Sequence, residues 1–249
     1  MATLFLTSSP TGPLDGSRKV EGFDPMNGFL INLSKHWNPY AKCLMITAFP
    51  KEHEKSEEMT RFFYEAAKKS YLSIFCMDLL DDRGVLNVTE NDVIPIADRM
   101  SKRMLSTYEV IFLGGGHVPT QKEFFESIGL REMLDGFKGV IVGISAGTMN
   151  AAETVYAQPE EPGEATDPSY VRFFKGLGLT KKMILPHYQM VKDAKKDGLR
   201  LFEDITFPDS YGREFIALPD GSYIMEVDGI GKIYGEAYRI KDGGITEIN

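Results

Sequence analysis

The stretch Gly139-Val-Ile-Val-Gly-Ile-Ser-Ala-Gly-Thr-Met-Asn150 sets the narrowest limits on how this chain can fold. Val140, Ile141, Val142 and Ile144 make the short apolar run of a buried strand, and the small residues from Ala146 onward can open a helix. A strand that breaks into a helix at a serine flanked by Gly143 and Gly147 has the G-x-S-x-G pattern of a nucleophile elbow. Such a bend strains the serine backbone and brings neighbouring backbone very close, so only small residues fit beside it. It also places the free N–H groups of a helix N-terminus under the hydroxyl, where they favour negative charge.

The segments before the elbow alternate in the same way. Residues 3–7 read as a first strand, followed by a polar Gly/Pro/Ser loop, and residues 26–37 carry helical spacing that ends before Pro39. Residues 43–49 form a second strand ending at Pro50, and residues 54–70 an amphipathic helix with Met59, Phe62, Phe63 and Ala66 on one face. A third strand, 71–78, stops at the turn Asp81-Asp-Arg-Gly84, and residues 93–105 are expected to be helical. The strand 110–113 runs into Gly114-Gly-Gly-His117, and a helix over 121–134 leads to the elbow strand. Strand and helix alternating through short connections predict an α/β fold: a mainly parallel sheet with helices on both faces. Functional loops in such sheets gather at the strands' C-terminal ends, so Gly114–His117 and Ser145 should be neighbours.

After the elbow, residues 153–170 are rich in Pro, Glu and Gly and are expected as a long loop. Residues 183–187 read as a short strand ending in His187, and residues 192–205 as a helix. From Glu214 the pattern changes to short strands at 215–218, 223–227, 232–234, 237–240 and 245–248. Pro219-Asp-Gly221, Asp228-Gly229 and Asp242-Gly-Gly244 supply hairpin turns, which predicts antiparallel edge strands at the C-terminal end. No repeat or linker divides the chain, so residues 1–249 are expected to form a single domain.

Charge and composition narrow the class. A net charge of −8 without a Lys/Arg block argues against a nucleic-acid partner, and no run of about 18 apolar residues predicts a membrane span. The apolar start lacks the basic leader of a signal peptide. Cys43 and Cys76 each fall inside a strand-like apolar run and read as reduced core residues. No H-E-x-x-H pattern or Cys cluster points to a metal. A cytoplasmic protein working without metal or cofactor is expected.

A serine hydroxyl needs a positioned base to become a nucleophile. His36 and His53 lie in polar contexts before the sheet is built, whereas His187 ends a strand downstream of the elbow and can face Ser145 as general base. His117, on the glycine loop, is expected to touch substrate. A third group must hold the imidazole tautomer, and the loop offers Glu153, Glu160, Glu161, Glu164 and Asp167, among which spacing does not choose. An oxyanion needs two N–H donors: Ala146 supplies one by elbow geometry, and the turn Gly114–Gly116 can supply the other. That turn lacks the G-x-G-x-x-G spacing of a dinucleotide site and the lysine of a P-loop.

Taken in order, Gly114-Gly-Gly-His-x-x-x-Gln121, Gly143-Ile-Ser-Ala-Gly-Thr148, Leu185-Pro-His187 and Ala217-Leu-Pro-Asp-Gly-Ser222 resemble the aspartyl dipeptidase (peptidase E) and cyanophycinase family of serine peptidases. Its fold is similar to that of class I glutamine amidotransferases, and the resemblance spans roughly residues 42–234. It implies a Ser-His-acid hydrolase of a small peptide, with Ser145 as nucleophile, His187 as base and the N–H groups of Gly115 and Ala146 as oxyanion hole. The family's acid lies about fifteen residues beyond the serine, which implies Glu160, with Glu161 and then Glu164 as substitutes. Gln121 is implied to help shape the substrate site, and the assembly to be a homodimer. The arginine expected near the acid loop to hold a substrate aspartate has no counterpart here: residues 151–170 contain no Arg or Lys, and Arg172 is the first. Clustered glutamates repel an acidic side chain in a low-dielectric cleft, so neutral or basic peptides fit better.

Two other classes fit part of the pattern. One is a binding or regulatory protein with an incomplete triad on the same scaffold. The other is a lipase- or esterase-type hydrolase, but there the histidine lies far downstream, and only 42 residues separate Ser145 from His187.

Overall fold

Continuous apolar runs build the centre of the protein, and the computed structural model describes residues 1–12 and 22–249. The Gly/Pro/Ser loop expected after the first strand falls largely outside the described residues. The N-terminal part carries β1 (Thr3–Thr7), α1 (Phe29–His36), β2 (Ala41–Ile46), α2 (His53–Lys69), β3 (Ile74–Asp81), β4 (Gly84–Val88) and β5 (Val93–Ala97). The middle carries α3 (Lys102–Leu105), β6 (Val110–Leu113), α4 (Val118–Ser127), α5 (Leu130–Leu134), β7 (Val140–Ile144) and α6 (Ala146–Asn150). Next come β8 (Thr154–Tyr156), β9 (Phe173–Lys175), β10 (Met183–Leu185), α7 (Tyr188–Val191), β11 (Lys195–Lys196) and β12 (Leu199–Arg200). A wide π turn (Leu201–Thr206) and α8 (Phe207–Asp209) precede β13 (Glu214–Ala217), β14 (Tyr223–Val227), β15 (Ile230–Tyr234), β16 (Tyr238–Lys241) and β17 (Gly244–Glu247).

A nine-stranded sheet runs in the order β15-β14-β1-β7-β6-β2-β3-β4-β5. Its centre, β1-β7-β6-β2-β3, is parallel, and both edges are antiparallel. Successive side chains of one strand point to opposite faces. Phe5, Met45, Phe112 and Val142 accordingly join the core beneath α1 and α2, while Leu4, Leu44, Ile111 and Ile141 join the core beneath α4 and α5. Burial on both faces explains why these strands read as continuous apolar runs. Helix α2 buries Ser56, Thr60, Phe63, Ala66 and Ala67, a stripe at helical spacing. Removing one large side chain from such a core, as in Phe112→Ala, costs about 3–5 kcal/mol.

The third strand lies at Ile74–Asp81 rather than 71–78, Gly84–Val88 adds a strand that was not expected, and three further segments depart from the expected elements. Residues 93–97 form the edge strand β5, because Pro95 lacks the N–H an internal helical turn needs, and an edge strand tolerates that loss. Only Lys102–Leu105 of the expected helix is helical. Residues 192–205 turn back as the β11–β12 hairpin, with Asp197 at φ 50° and Gly198 at φ 85°, before the π turn. An Asp-Gly pair suits that turn and breaks a helix. Within 153–170, Thr154–Tyr156 pairs with Phe173–Lys175.

The C-terminal strands divide between two sheets. β14 and β15 extend the large sheet from β1, whereas β13, β16 and β17 join β10 in a four-stranded sheet. The turn from β13 to β14 crosses between the sheets. A separate core of Ala146, Met149, Tyr156, Leu185, Phe202 and Phe215 sits between the elbow helix and the smaller sheet. Among the described residues, no helix is long and apolar enough to cross a membrane.

Candidate active site

Ser145 stands between β7 and α6 at φ 50° and ψ −111°, an unfavourable backbone conformation for a side-chain-bearing residue. The end of β1 braces it. The Ser145 N–H donates to Thr7 O at 3.1 Å, the Thr7 hydroxyl donates to Gly143 O at 2.7 Å, and the Thr148 hydroxyl donates to Thr7 O at 2.7 Å. A Cβ at Gly147 would stand 2.1 Å from Leu113 O, so the elbow closes against β6 only with glycine there.

The glycine loop follows β6 and lies beside the elbow, as the parallel order requires. A Cβ at Gly115 would stand 3.4 Å from the Ser145 Cβ, and one at Gly116 only 2.6 Å from the Phe49 ring. Ala146 is the first residue of α6, where a backbone N–H has no acceptor within the helix. Gln121 is fully buried: its amide donates to Gly114 O at 2.7 Å and accepts from Asn150 at 3.0 Å. It therefore ties the glycine loop to the elbow helix from inside rather than facing the cleft.

His187 follows β10 through Pro186 and has left-handed geometry, φ 57°, at the start of α7. Its Nε2 is 2.9 Å from Ser145 Oγ, and its Nδ1 is 2.7 Å from Asp220 Oδ1. Asp220 lies in the crossing turn between β13 and β14, its side chain only 1% exposed. Its second oxygen accepts from Gln189 Nε2 at 2.7 Å, and its own N–H donates to Gln189 Oε1 at 3.0 Å. Ser8, just past β1, donates to Asp220 Oδ1 and lies 3.2 Å from His187 Nδ1. Burial pushes the Asp220 carboxyl up, but hydrogen bonds from His187, Ser8 and Gln189, with the His187 charge, outweigh it and hold the group below its usual range. An ionised carboxylate only accepts, so Nδ1 carries the ring proton and Nε2 can accept from Ser145.

The loop carboxylates go elsewhere. Glu164 accepts from the N–H groups of Glu160 and Glu161 at 2.7 and 2.8 Å and bonds His117 Nε2 at 2.7 Å; His117 Nδ1 bonds the Thr120 hydroxyl. Asp197 accepts from the N–H groups of Gly163 and Ala165, and Lys196 bonds the Glu160 carbonyl. The loop is thereby fastened over the start of α4. Burial first, then Glu164 and Glu161, push the Glu160 carboxyl up to about 8, and Lys196 with the Val118 N–H only partly offsets this. Glu160 is therefore protonated at neutral pH, and the carboxylate on His187 is Asp220 instead. Glu153, Glu161 and Asp167 are exposed. His53 pairs with Asp82 on the surface, and His36 packs its ring edge against Phe5.

The sequence reading placed Asp220 only as a turn residue. The signal was the motif Ala217-Leu-Pro-Asp-Gly-Ser222 itself, but Pro-Asp-Gly is so favourable a turn that its chemistry is hidden. Ser8 carried no local signal at all. Among the described residues, no group of three or more His, Cys, Asp or Glu side chains could hold a metal ion.

Residues 67–232 match peptidase family S51, a range that takes in Ser145, His187 and Asp220 and leaves out Ser8. No curated protein matches the chain. A crystal structure of a peptidase from an acI-B1 Actinobacterium shares the fold with a TM-score of 0.66 at 15% identity, over 100% of this chain and 94% of that one. A putative peptidase E protein from Listeria monocytogenes EGD-e does so with a TM-score of 0.54 at 16% identity, over 94% of this chain and 100% of that one.

Proposed function

Because the chain belongs to peptidase family S51, we propose that it is a serine peptidase cleaving small peptides through Ser145, His187 and Asp220. The observation that carries this reading is the contact of His187 Nε2 with Ser145 Oγ at 2.9 Å, made while Asp220 holds the opposite ring nitrogen at 2.7 Å. His187 takes the serine proton as Oγ attacks the amide carbonyl, and Asp220 stabilises the resulting imidazolium. The N–H groups of Gly115 and Ala146 receive the tetrahedral oxyanion. His187 then protonates the leaving amine, and water, deprotonated by the same imidazole, hydrolyses the acyl-enzyme. The Glu164 carboxylate, bonded to His117 at the end of the glycine loop, favours peptides with neutral or basic side chains over acidic ones.

The test is a dipeptide library together with a serine-directed fluorophosphonate. Ser145→Ala should keep its fold and lose both hydrolysis and labelling. Labelling that survives the substitution removes Ser145 as nucleophile. His187→Ala should likewise lose hydrolysis with the fold intact, and hydrolysis that survives it would remove His187 as base.

A further inference from the structure

Ser8 is fully buried and stands at the end of β1, far in sequence from the residues it touches. Its hydroxyl makes three contacts: with Asp220 Oδ1, with the backbone N–H of His187 at 2.7 Å, and with His187 Nδ1 at 3.2 Å. A hydroxyl has one proton and two lone pairs. Asp220 as an anion can only accept, so the Ser8 proton goes to it. The oxygen is then left to accept, and it takes the His187 N–H and the edge of the ring N–H. Both acceptors facing Nδ1 thus demand a proton there, which leaves Nε2 bare toward Ser145.

The same oxygen also steadies the His187 backbone. A histidine at φ 57° persists only where its surroundings over-determine it, and the N–H donated to Ser8 is one such restraint. One side chain therefore constrains the backbone of the base, the tautomer of its ring and the orientation of its carboxylate partner. We propose that Ser8 is a positioning residue of the hydrolytic site, acting through His187 and Asp220 without touching substrate. This rests on the reading of Ser145, His187 and Asp220 given above.

The experiment measures the rate of Ser145 phosphonylation by a fluorophosphonate across pH, which needs no knowledge of the substrate. Ser8→Ala should slow labelling by about 10- to 100-fold, the size expected for losing hydrogen bonds to a charged group. It should also move the acid limb to higher pH, because Asp220 without the Ser8 donor holds the imidazolium proton more strongly. Ser8→Cys fills the same space with a poor donor and should behave as Ser8→Ala; it carries the test if the alanine variant fails to fold. Ser8→Thr keeps the hydroxyl and should restore the wild-type acid limb, whatever its added methyl does to Tm. An acid limb unmoved in Ser8→Ala and Ser8→Cys overturns the proposal, with or without a loss of rate, and so does a Ser8→Thr protein that keeps the shifted limb. Labelling that persists in Ser145→Ala overturns the parent reading instead.

Discussion

Glu160 and Asp220 are both largely buried carboxylic acids on loops beside the sheet's C-terminal ends, and their surroundings drive them in opposite directions. Around Asp220, burial is outweighed by three donors, the His187 ring and Gln189 amide from the start of α7 and the Ser8 hydroxyl from the end of β1. Around Glu160, burial is reinforced by Glu164 and Glu161, and one backbone N–H with one lysine does not compensate. Asp220 is held as an anion that can stabilise an imidazolium, whereas Glu160, pushed up to about 8, is neutral at pH 7. An acid's role thus follows from the donors aimed at it and not from its burial or from the number of carboxylates nearby.

The largest expected effect comes from exchanging the roles. Asp220→Asn should lower the labelling and peptidase rates by about 10³- to 10⁴-fold with the fold intact, since the amide favours the wrong imidazole tautomer. Glu160→Gln should stay within a few-fold of wild type in the same assays. Equal losses in the two variants would erase the distinction.

Stability against pH sharpens it. The folded Glu160 binds a proton more tightly than the unfolded chain between its ordinary value of 4.5 and about 8, so it lowers stability as pH rises through that window. Glu160→Gln should therefore raise Tm above pH 8, by on the order of 1–3 kcal/mol in stability, and leave it nearly unchanged at pH 4. Asp220 works with the opposite sign. Its folded value is depressed, so its contribution is present above the ordinary carboxylate range and is lost as pH falls through the folded value. Thermal melts of the Glu160→Gln and wild-type proteins across pH check this; a gain as large at pH 4 as above pH 8 would contradict it. Of the residues bonded to Asp220, Gln189 is expected to matter least, because it holds the outer carboxylate oxygen and the backbone N–H but not the oxygen that meets His187. Gln189→Ala should cost about tenfold or less in labelling rate, and a loss matching Asp220→Asn would mean that the outer oxygen carries the catalytic orientation.

The two halves of the site differ in how far they can be read from residues alone. The half formed by Ser145 and the glycine loop is local: continuous apolar runs, glycines where a Cβ would strike backbone, and parallel strands that make their loops neighbours. The half formed by His187, Asp220 and Ser8 is not. A histidine at a strand end stands out in the residue pattern, but the acid that meets it does not, because an acidic loop looks the same whether its carboxylates are ionised or neutral and Pro-Asp-Gly reads as a turn. The helices expected at 93–105 and 192–205 failed for a related reason. Apolar content there suited either element, and Pro95 and the Asp197-Gly198 turn decided against helix once neighbouring strands offered hydrogen bonds.

By itself, then, the order of residues determined the parallel core, the bend at Ser145 and its pairing with the glycine loop, since sterics and periodicity act over a few residues. Only the tertiary structure decided which acid meets the His187 ring. That choice depends on the crossing of the β13–β14 turn between two sheets, which brings Asp220 and Ser8 to the same imidazole. Hydrogen bonding and ionisation respond to distance in space, and 179 positions of sequence between Ser8 and His187 leave no trace of it in the chain.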